Sequence, residues 1–171
     1  VKIVLIGYMG SGKTTIGKII AKELKCSFLD LDEVLENELG TSIPEVFKTK
    51  GEVFFRKKEH QFLNEIVSKD ASFILSTGGG TPCYSGNMDT MLKEADAVVY
   101  LKVAIAGLVQ RLMPEKEHRP LIKNIANEDL PEFIGKHLFE RNNYYLKADH
   151  IVNCDNKEPQ RIAEEIIALL G

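Results

Sequence analysis

The tightest constraint on the fold lies at the start of the chain. The apolar run Ile3-Val4-Leu5-Ile6 passes directly into Gly7-Tyr8-Met9-Gly10-Ser11-Gly12-Lys13-Thr14, after which apolar residues recur at Ile16, Ile19, Ile20 and Leu24. The run suits a buried parallel strand, and the recurrence has helical spacing over 13–24. The octet between them satisfies G-x-x-x-x-G-K-[ST] in the strand–loop–helix context that the motif requires. In such a loop glycines let backbone amides approach phosphate oxygens with no Cβ in the way, and the following helix adds the positive end of its dipole. Lys13 offers a point charge to the β- and γ-phosphates. Thr14 offers a hydroxyl to Mg²⁺, a cation that takes oxygen ligands and keeps several waters. The loop implies a bound nucleotide and leaves the acceptor of any phosphate open.

The rest of the chain repeats the strand–helix alternation. Phe28-Leu29 reads as a second strand, followed by helical patterns over Glu33–Leu39, Ile43–Lys48 and Val53–Val67. Ser72–Ser76 reads as a third strand stopped by Gly78-Gly79-Gly80, and Ala97–Leu101 as a fourth followed by a helix over Ala104–Met113. His150–Val152 reads as a fifth strand, and Glu158–Leu170 as a closing helix with Pro159 in its first turn. This alternation predicts an α/β fold: a three-layer α/β/α sandwich around a five-stranded parallel sheet. Ligands of such sheets bind beyond the carboxyl ends of the strands, where the polar and glycine-rich clusters of this chain fall.

At 171 residues the chain predicts a single domain, 1–171. With 25 acidic against 22 basic residues the net charge is −3, which disfavours general nucleic-acid binding, since that affinity is mostly phosphate neutralisation. No apolar run is long enough to span a membrane. Cys26, Cys83 and Cys154 are far apart and show neither disulfide-framework nor zinc spacing, and together with the missing signal-peptide pattern they lead us to expect a cytoplasmic protein. Of the 22 basic residues only five are arginine: Arg56, Arg111, Arg119, Arg141 and Arg161. Where any positive charge suffices the chain uses lysine, so arginine marks candidate sites that need a planar fork.

Three features follow the strands. Asp30 and Asp32 close the second strand: one can reach Mg²⁺ through water and the other can accept a proton from an attacking hydroxyl, although Asp32 could instead cap the next helix. The triple glycine either makes a tight turn or brings backbone amides against an acceptor. Ile74-Leu75-Ser76-Thr77 lacks the acid expected of a hydrolysing switch protein, which favours transfer to a small molecule. Pro114–Asn124 is charged, bounded by proline and aperiodic, and reads either as a solvated loop or as a mobile lid.

Taken together, these residues resemble the shikimate kinases. The family patterns G-x-M-G-x-G-K-[ST], F-x-D-x-D, F-R-x-x-E, G-G-G, R-P-L and R-x-x-x-Y are matched in order by Gly7–Thr14, Phe28–Asp32, Phe55–Glu59, Gly78–Gly80, Arg119–Leu121 and Arg141–Tyr145. The resemblance implies a P-loop kinase fold with a substrate-binding region at about 32–60 and a mobile lid at about 112–124. It implies transfer of the ATP γ-phosphoryl group to the 3-hydroxyl of shikimate, with Mg²⁺ as cofactor, shikimate and ATP as small-molecule partners, and a monomer. ATP would meet Gly10, Ser11, Gly12, Lys13, Thr14, Thr15, Arg111, Arg119 and Asp155, the last in an adenine loop over 153–159. Asp32 would be the base and hold the ring hydroxyls, with Lys13 and Arg119 completing the catalytic set. Arg56 and Arg141 would clamp the carboxylate, Gly78, Gly79 and Gly80 would contact the substrate by backbone, and Thr14 and, through water, Asp30 would serve the metal. Arg161 alone is left to the surface. A related small-molecule kinase, such as a gluconate kinase, is the alternative, and a non-catalytic nucleotide-binding module a more distant one.

Overall fold

A computed structural model describes all residues, Val1–Gly171. The strands are β1 (Lys2–Ile6), β2 (Ser27–Asp30), β3 (Phe73–Ser76), β4 (Ala97–Lys102) and β5 (His150–Asn153). The helices are α1 (Lys13–Leu24), α2 (Leu31–Leu39), α3 (Ile43–Lys50), α4 (Glu52–Val67), α5 (Asn87–Glu94), α6 (Ile105–Leu112), α7 (Leu130–Tyr145) and α8 (Pro159–Leu170). All strand pairs are parallel, in the order β2-β3-β1-β4-β5, with Val4 registered against Leu75 on one side and Val98 on the other.

The central strand explains the architecture. Ile3, Val4, Leu5 and Ile6 are all fully buried, so both faces of β1 must be covered. Each such side chain contributes roughly 1.5–3 kcal/mol on leaving water. The connection from β1 to β2 and the connection from β3 to β4 run in opposite directions along the sheet, so right-handed crossovers place α1 and α5 on opposite faces. Helix α8 returns to pack on α1, and α6 packs on α7. Helix α1 lies close on the sheet at Gly17, where a Cβ would stand 2.5 Å from Phe28 Cε1.

Neighbouring strands β1 and β3 thus send their chains to opposite faces, and a crevice opens at their carboxyl ends. The phosphate loop leaves β1 there and the triple glycine leaves β3. Asp30 closes β2 one strand further on.

The elements expected from the sequence are all present, with shifted ends. Two helices go beyond that expectation: α5, and α7, which carries Arg141. Helix α2 starts at Leu31, two residues before the expected Glu33, and this changes the capping. Asp30, not Asp32, is the N-cap, its Oδ1 accepting from the amides of Asp32 (3.0 Å) and Glu33 (3.3 Å). Asp32 sits within the first turn, with its carboxylate left over for other work. The segment 112–124 is a 3₁₀ turn over Met113–His118 followed by further turns.

Candidate active site

The crevice is a cleft of about 670 Å³. Its floor is the phosphate loop. Gly10 (φ 80°) and Gly12 (φ 99°) take left-handed backbone conformations that other residues adopt only under strain. Lys13 Nζ donates to the carbonyls of Gly7 (2.5 Å) and Tyr8 (3.0 Å), so the ammonium is held within the loop. Burial, the largest cause, pulls its pKa down to about 8, against the opposing charge of Asp32. Thr14 and Thr15 lie in the first turn of α1 and line the cleft, and the Thr14 hydroxyl donates to Asp30 Oδ2 at 3.4 Å.

Asp30 and Asp32 both face this cleft. Burial first, then the negative charges of Asp30 and Glu59, push the Asp32 carboxyl up to about 6, while Lys13 opposes the shift. A carboxylate of that strength is still ionised at neutral pH and is better matched to accepting a proton than an ordinary aspartate. Thr14 and Asp30, whose side chains meet at 3.4 Å, offer an oxygen-only donor set, and no group of three or more His, Cys, Asp or Glu side chains cages an ion. The set fits Mg²⁺, which is bound by few protein oxygens together with waters and substrate phosphates.

The triple glycine is explained by what stands opposite each residue. A Cβ on Gly78 would lie 3.0 Å from Asp32 Oδ1, one on Gly79 2.8 Å from Arg141 Nη1, and one on Gly80 3.0 Å from Arg56 Nη2 and 3.4 Å from Arg141 Nη2. None of the three has a left-handed φ. The three do form a turn, the Thr81 amide donating to the Gly78 carbonyl at 3.1 Å, but with no left-handed φ the turn does not itself require glycine, whereas the side chains of Asp32, Arg141 and Arg56 occupy the space a Cβ would take. The guanidinium groups of Arg56 and Arg141 converge at Gly80, and two like charges brought together in this way can receive an anion with two oxygens.

Each arginine has its own support. Arg56 Nη1 donates to Glu59 Oε1 at 3.0 Å, and Glu59, only 1% exposed, accepts from Thr81 Oγ1 at 2.8 Å. Arg141 Nη1 lies 3.4 Å from the Tyr145 hydroxyl, which donates to the Gly79 carbonyl. Burial raises the pKa of Tyr145 and moves that of Tyr8 to about 12, so both phenols remain proton donors. Glu59 and Tyr145 are parts of the F-R-x-x-E and R-x-x-x-Y patterns, but the sequence carried no sign that they orient the arginines.

The remaining expected residues take different positions. Arg111 Nη1 donates to the carbonyls of Gly10 and Ser11, both at 3.2 Å, bracing the phosphate loop from the side. Arg119 lines the cleft and is paired with Glu115 at 2.9 Å. Asp155 turns its carboxylate to the amide of Ala104, at 3.0 and 3.2 Å, tying the loop after β5 to the start of α6. The cleft wall at that end is formed instead by Lys157, Pro159 and Ile162, of which the sequence singled out only the first two, as members of a loop. Arg161 is exposed, near Glu165.

Residues 9–171 match the family model described as shikimate kinase. A shikimate kinase of Flavobacterium psychrophilum is 49% identical over 99% of this chain and 98% of its own length. The crystal structure of shikimate kinase from Bacteroides thetaiotaomicron superposes with a TM-score of 0.92 at 34% identity, over 99% of this chain and 98% of the other. The solved structure of the Acinetobacter baumannii shikimate kinase in complex with shikimate superposes at 0.88 with 33% identity, over 98% and 91%. By contrast, a gluconokinase from Sinorhizobium meliloti reaches a TM-score of 0.61 at 18% identity, over 99% and 90%, a likeness of fold alone.

Proposed function

The chain belongs to the shikimate kinase family, and from that premise we propose that it transfers the γ-phosphoryl group of ATP to the 3-hydroxyl of shikimate, giving shikimate 3-phosphate and ADP. The observation that carries the acceptor assignment is the convergence of Arg56 and Arg141 at Gly80, next to Asp32 and across from the phosphate loop. Shikimate brings one carboxylate and several ring hydroxyls, the complement of that arrangement. The gluconate kinase alternative gives no account of the two arginines and the triple glycine together.

In this reading residues 1–171 form one kinase domain, with an acceptor region at about 32–60 and a lid at about 112–124. The amides of Gly10, Ser11 and Gly12 with Lys13, Thr14 and Thr15 grip the phosphates. Arg111 holds that loop in shape at the nucleotide end, and the Asp155 loop contributes the wall near the base. Arg56 and Arg141 fork the carboxylate, which fixes the ring so that its 3-hydroxyl meets Asp32. Asp32 accepts the hydroxyl proton as the oxygen takes the phosphoryl group. Lys13 and Arg119 share the charge on the transferred group, so catalysis is chiefly positioning and charge stabilisation. Thr14 and, through water, Asp30 would hold Mg²⁺, which when bound neutralises charge on the β- and γ-phosphate oxygens. Gly78, Gly79 and Gly80 bring backbone within reach of the acceptor. No helix is long and apolar enough to cross a membrane, and the reading extends to a monomer acting in the cytoplasm.

A coupled ADP-release assay with shikimate, with gluconate and with no acceptor tests the assignment. Release that depends on shikimate is the expected result. Release with gluconate, or at the same rate without any acceptor, contradicts it.

A further inference from the structure

Between the triple glycine and α5 lies a loop that none of the motifs explains. It starts at Thr81, which is fully buried, and ends at Asn87, also fully buried, and both ends are tied to α4, the helix that carries Arg56. Thr81 Oγ1 donates to Glu59. Asn87 Nδ2 donates to the Thr81 carbonyl at 3.0 Å, and Asn87 Oδ1 pairs with His60 Nδ1 at 2.7 Å. Buried polar groups so connected hold one arrangement, since breaking any link leaves a partner unpaired.

Between these anchors the chain makes a tight reversal. Ser85 (φ 54°) and Gly86 (φ 68°) are both left-handed, and the Asn87 amide donates to the Tyr84 carbonyl at 2.9 Å, the pattern of a type I′ turn. A left-handed serine is uncommon and persists where its surroundings over-determine it. The turn aims Tyr84, whose ring centroid lies 3.8 Å from Arg56 Cζ. Phe55 lies at 5.2 Å from the same atom. Tyr84 is 39% exposed, so core packing does not account for its placement. Arg56, meanwhile, has a single charged hydrogen bond, to Glu59. Its Nε has no hydrogen-bond partner, the nearest carboxylate oxygen being Glu52 Oε1 at 3.7 Å. One bond leaves a guanidinium free to swing about it, whereas a ring face at stacking distance fixes its plane.

We propose that the loop Thr81–Asn87 is a positioning device for Arg56, with Tyr84 supplying the aromatic face that holds the guanidinium flat and presents its edge to the acceptor carboxylate. The proposal rests on reading Arg56 as part of the carboxylate clamp. Tyr84 acts through Arg56, so it is a positioning residue and not a catalytic one.

Steady-state kinetics of Tyr84→Phe, Tyr84→Leu, Tyr84→Ala and Arg56→Lys, in the full chain with Mg²⁺ and ATP, test it. Each variant is assayed with shikimate and with an analogue bearing a carboxamide in place of the carboxylate, measured as substrate or as competitive inhibitor. Loss of the ring should raise the shikimate KM by about 3- to 10-fold in the Leu and Ala variants. Turnover and the ATP KM should stay within about 2-fold in these variants, and Tyr84→Phe should match the parent. The preference for carboxylate over carboxamide should shrink in Tyr84→Ala. A leucine variant equal to the parent, an unchanged KM in the alanine variant, or equal losses with both acceptors would overturn the proposal. If Arg56→Lys leaves the shikimate KM unchanged, the clamp reading fails and this inference with it. If Arg56→Lys raises that KM and Tyr84→Ala does not, this inference alone fails.

Discussion

Gly79→Ala isolates the geometry of the acceptor site from the stability of the fold. The Cβ it adds would stand 2.8 Å from Arg141 Nη1, while its next neighbours, the Met9 amide nitrogen at 3.5 Å and the Gly7 carbonyl oxygen at 3.6 Å, are at ordinary contact distance. Gly79 is not among the residues with positive φ, so alanine can adopt its backbone conformation. Relief therefore comes from the flexible end of Arg141, which must retreat by about 0.7 Å or more to reach a normal contact of about 3.5–4.0 Å. The cost to folding should be below about 1 kcal/mol, within the range of a surface substitution with room to relax. The cost to catalysis should be larger, because displacing a positioning group by about 1 Å can cost 10²-fold, or about 2.7 kcal/mol of transition-state stabilisation. The expected outcome is a kcat/KM for shikimate lowered by about 10- to 100-fold, with an ATP KM within about 2-fold and a nearly unchanged melting temperature. Parent-like kinetics would refute the argument that the glycine exists to make room for Arg141. A large fall in melting temperature would refute the claim that the side chain, not the backbone, gives way.

Three further outcomes follow from the same geometry. The raised pKa of Asp32, about 6 against 3.8 for the unconstrained group, means that the folded chain binds more protons than the unfolded one between those values. Stability should therefore fall as pH rises through that window, by at most about 3 kcal/mol, and the deficit should persist at neutral pH. Asp32→Asn should thus melt higher than the parent at pH 7.5 but not at pH 4, while losing about 10²-fold or more in turnover; equal melting at both pH values, or near-normal turnover, counts against the assignment. Arg56→Lys should raise the shikimate KM by about 10-fold, because an ammonium cannot reproduce a bidentate fork, and an unchanged KM rules out the clamp. Glu115→Gln frees Arg119 from an exposed pair worth at most about 1 kcal/mol, so the ATP KM should fall by up to about 5-fold, and a rise would show that Glu115 helps the lid to bind.

What could be read from the sequence was what is local. The phosphate loop is defined by eight consecutive residues and the flanking strand and helix, and it forms as expected. The identity of Gly78–Gly80 was legible as unusual, but its cause was not, since the groups that exclude a Cβ come from α2, α4 and α7. Helix α7 was unreadable for a related reason. Its buried residues Leu130, Ile134 and Leu138 recur every four positions, but Phe139, 80% exposed, and Tyr144 add apolar residues on the wrong face and blur the period. In α5 the buried set is Asn87, Met88 and Met91, and a buried asparagine reads from sequence as a loop residue. The capping of α2 by Asp30 depended on the helix starting directly at the strand's end, which two adjacent acids cannot reveal on their own. The turn at Ser85 and Gly86, which aims Tyr84, is set by hydrogen bonds to α4 more than twenty residues away in the chain.

The most direct test of the central claim is to identify the product. The purified protein is incubated with Mg²⁺, ATP and shikimate, and the product is examined by mass spectrometry and by phosphorus–proton correlation NMR. Our account predicts a single added phosphate coupled to the proton on ring carbon 3, with ADP formed in equal amount. A phosphate on another hydroxyl, or ADP accumulating without phosphorylated shikimate, would contradict it.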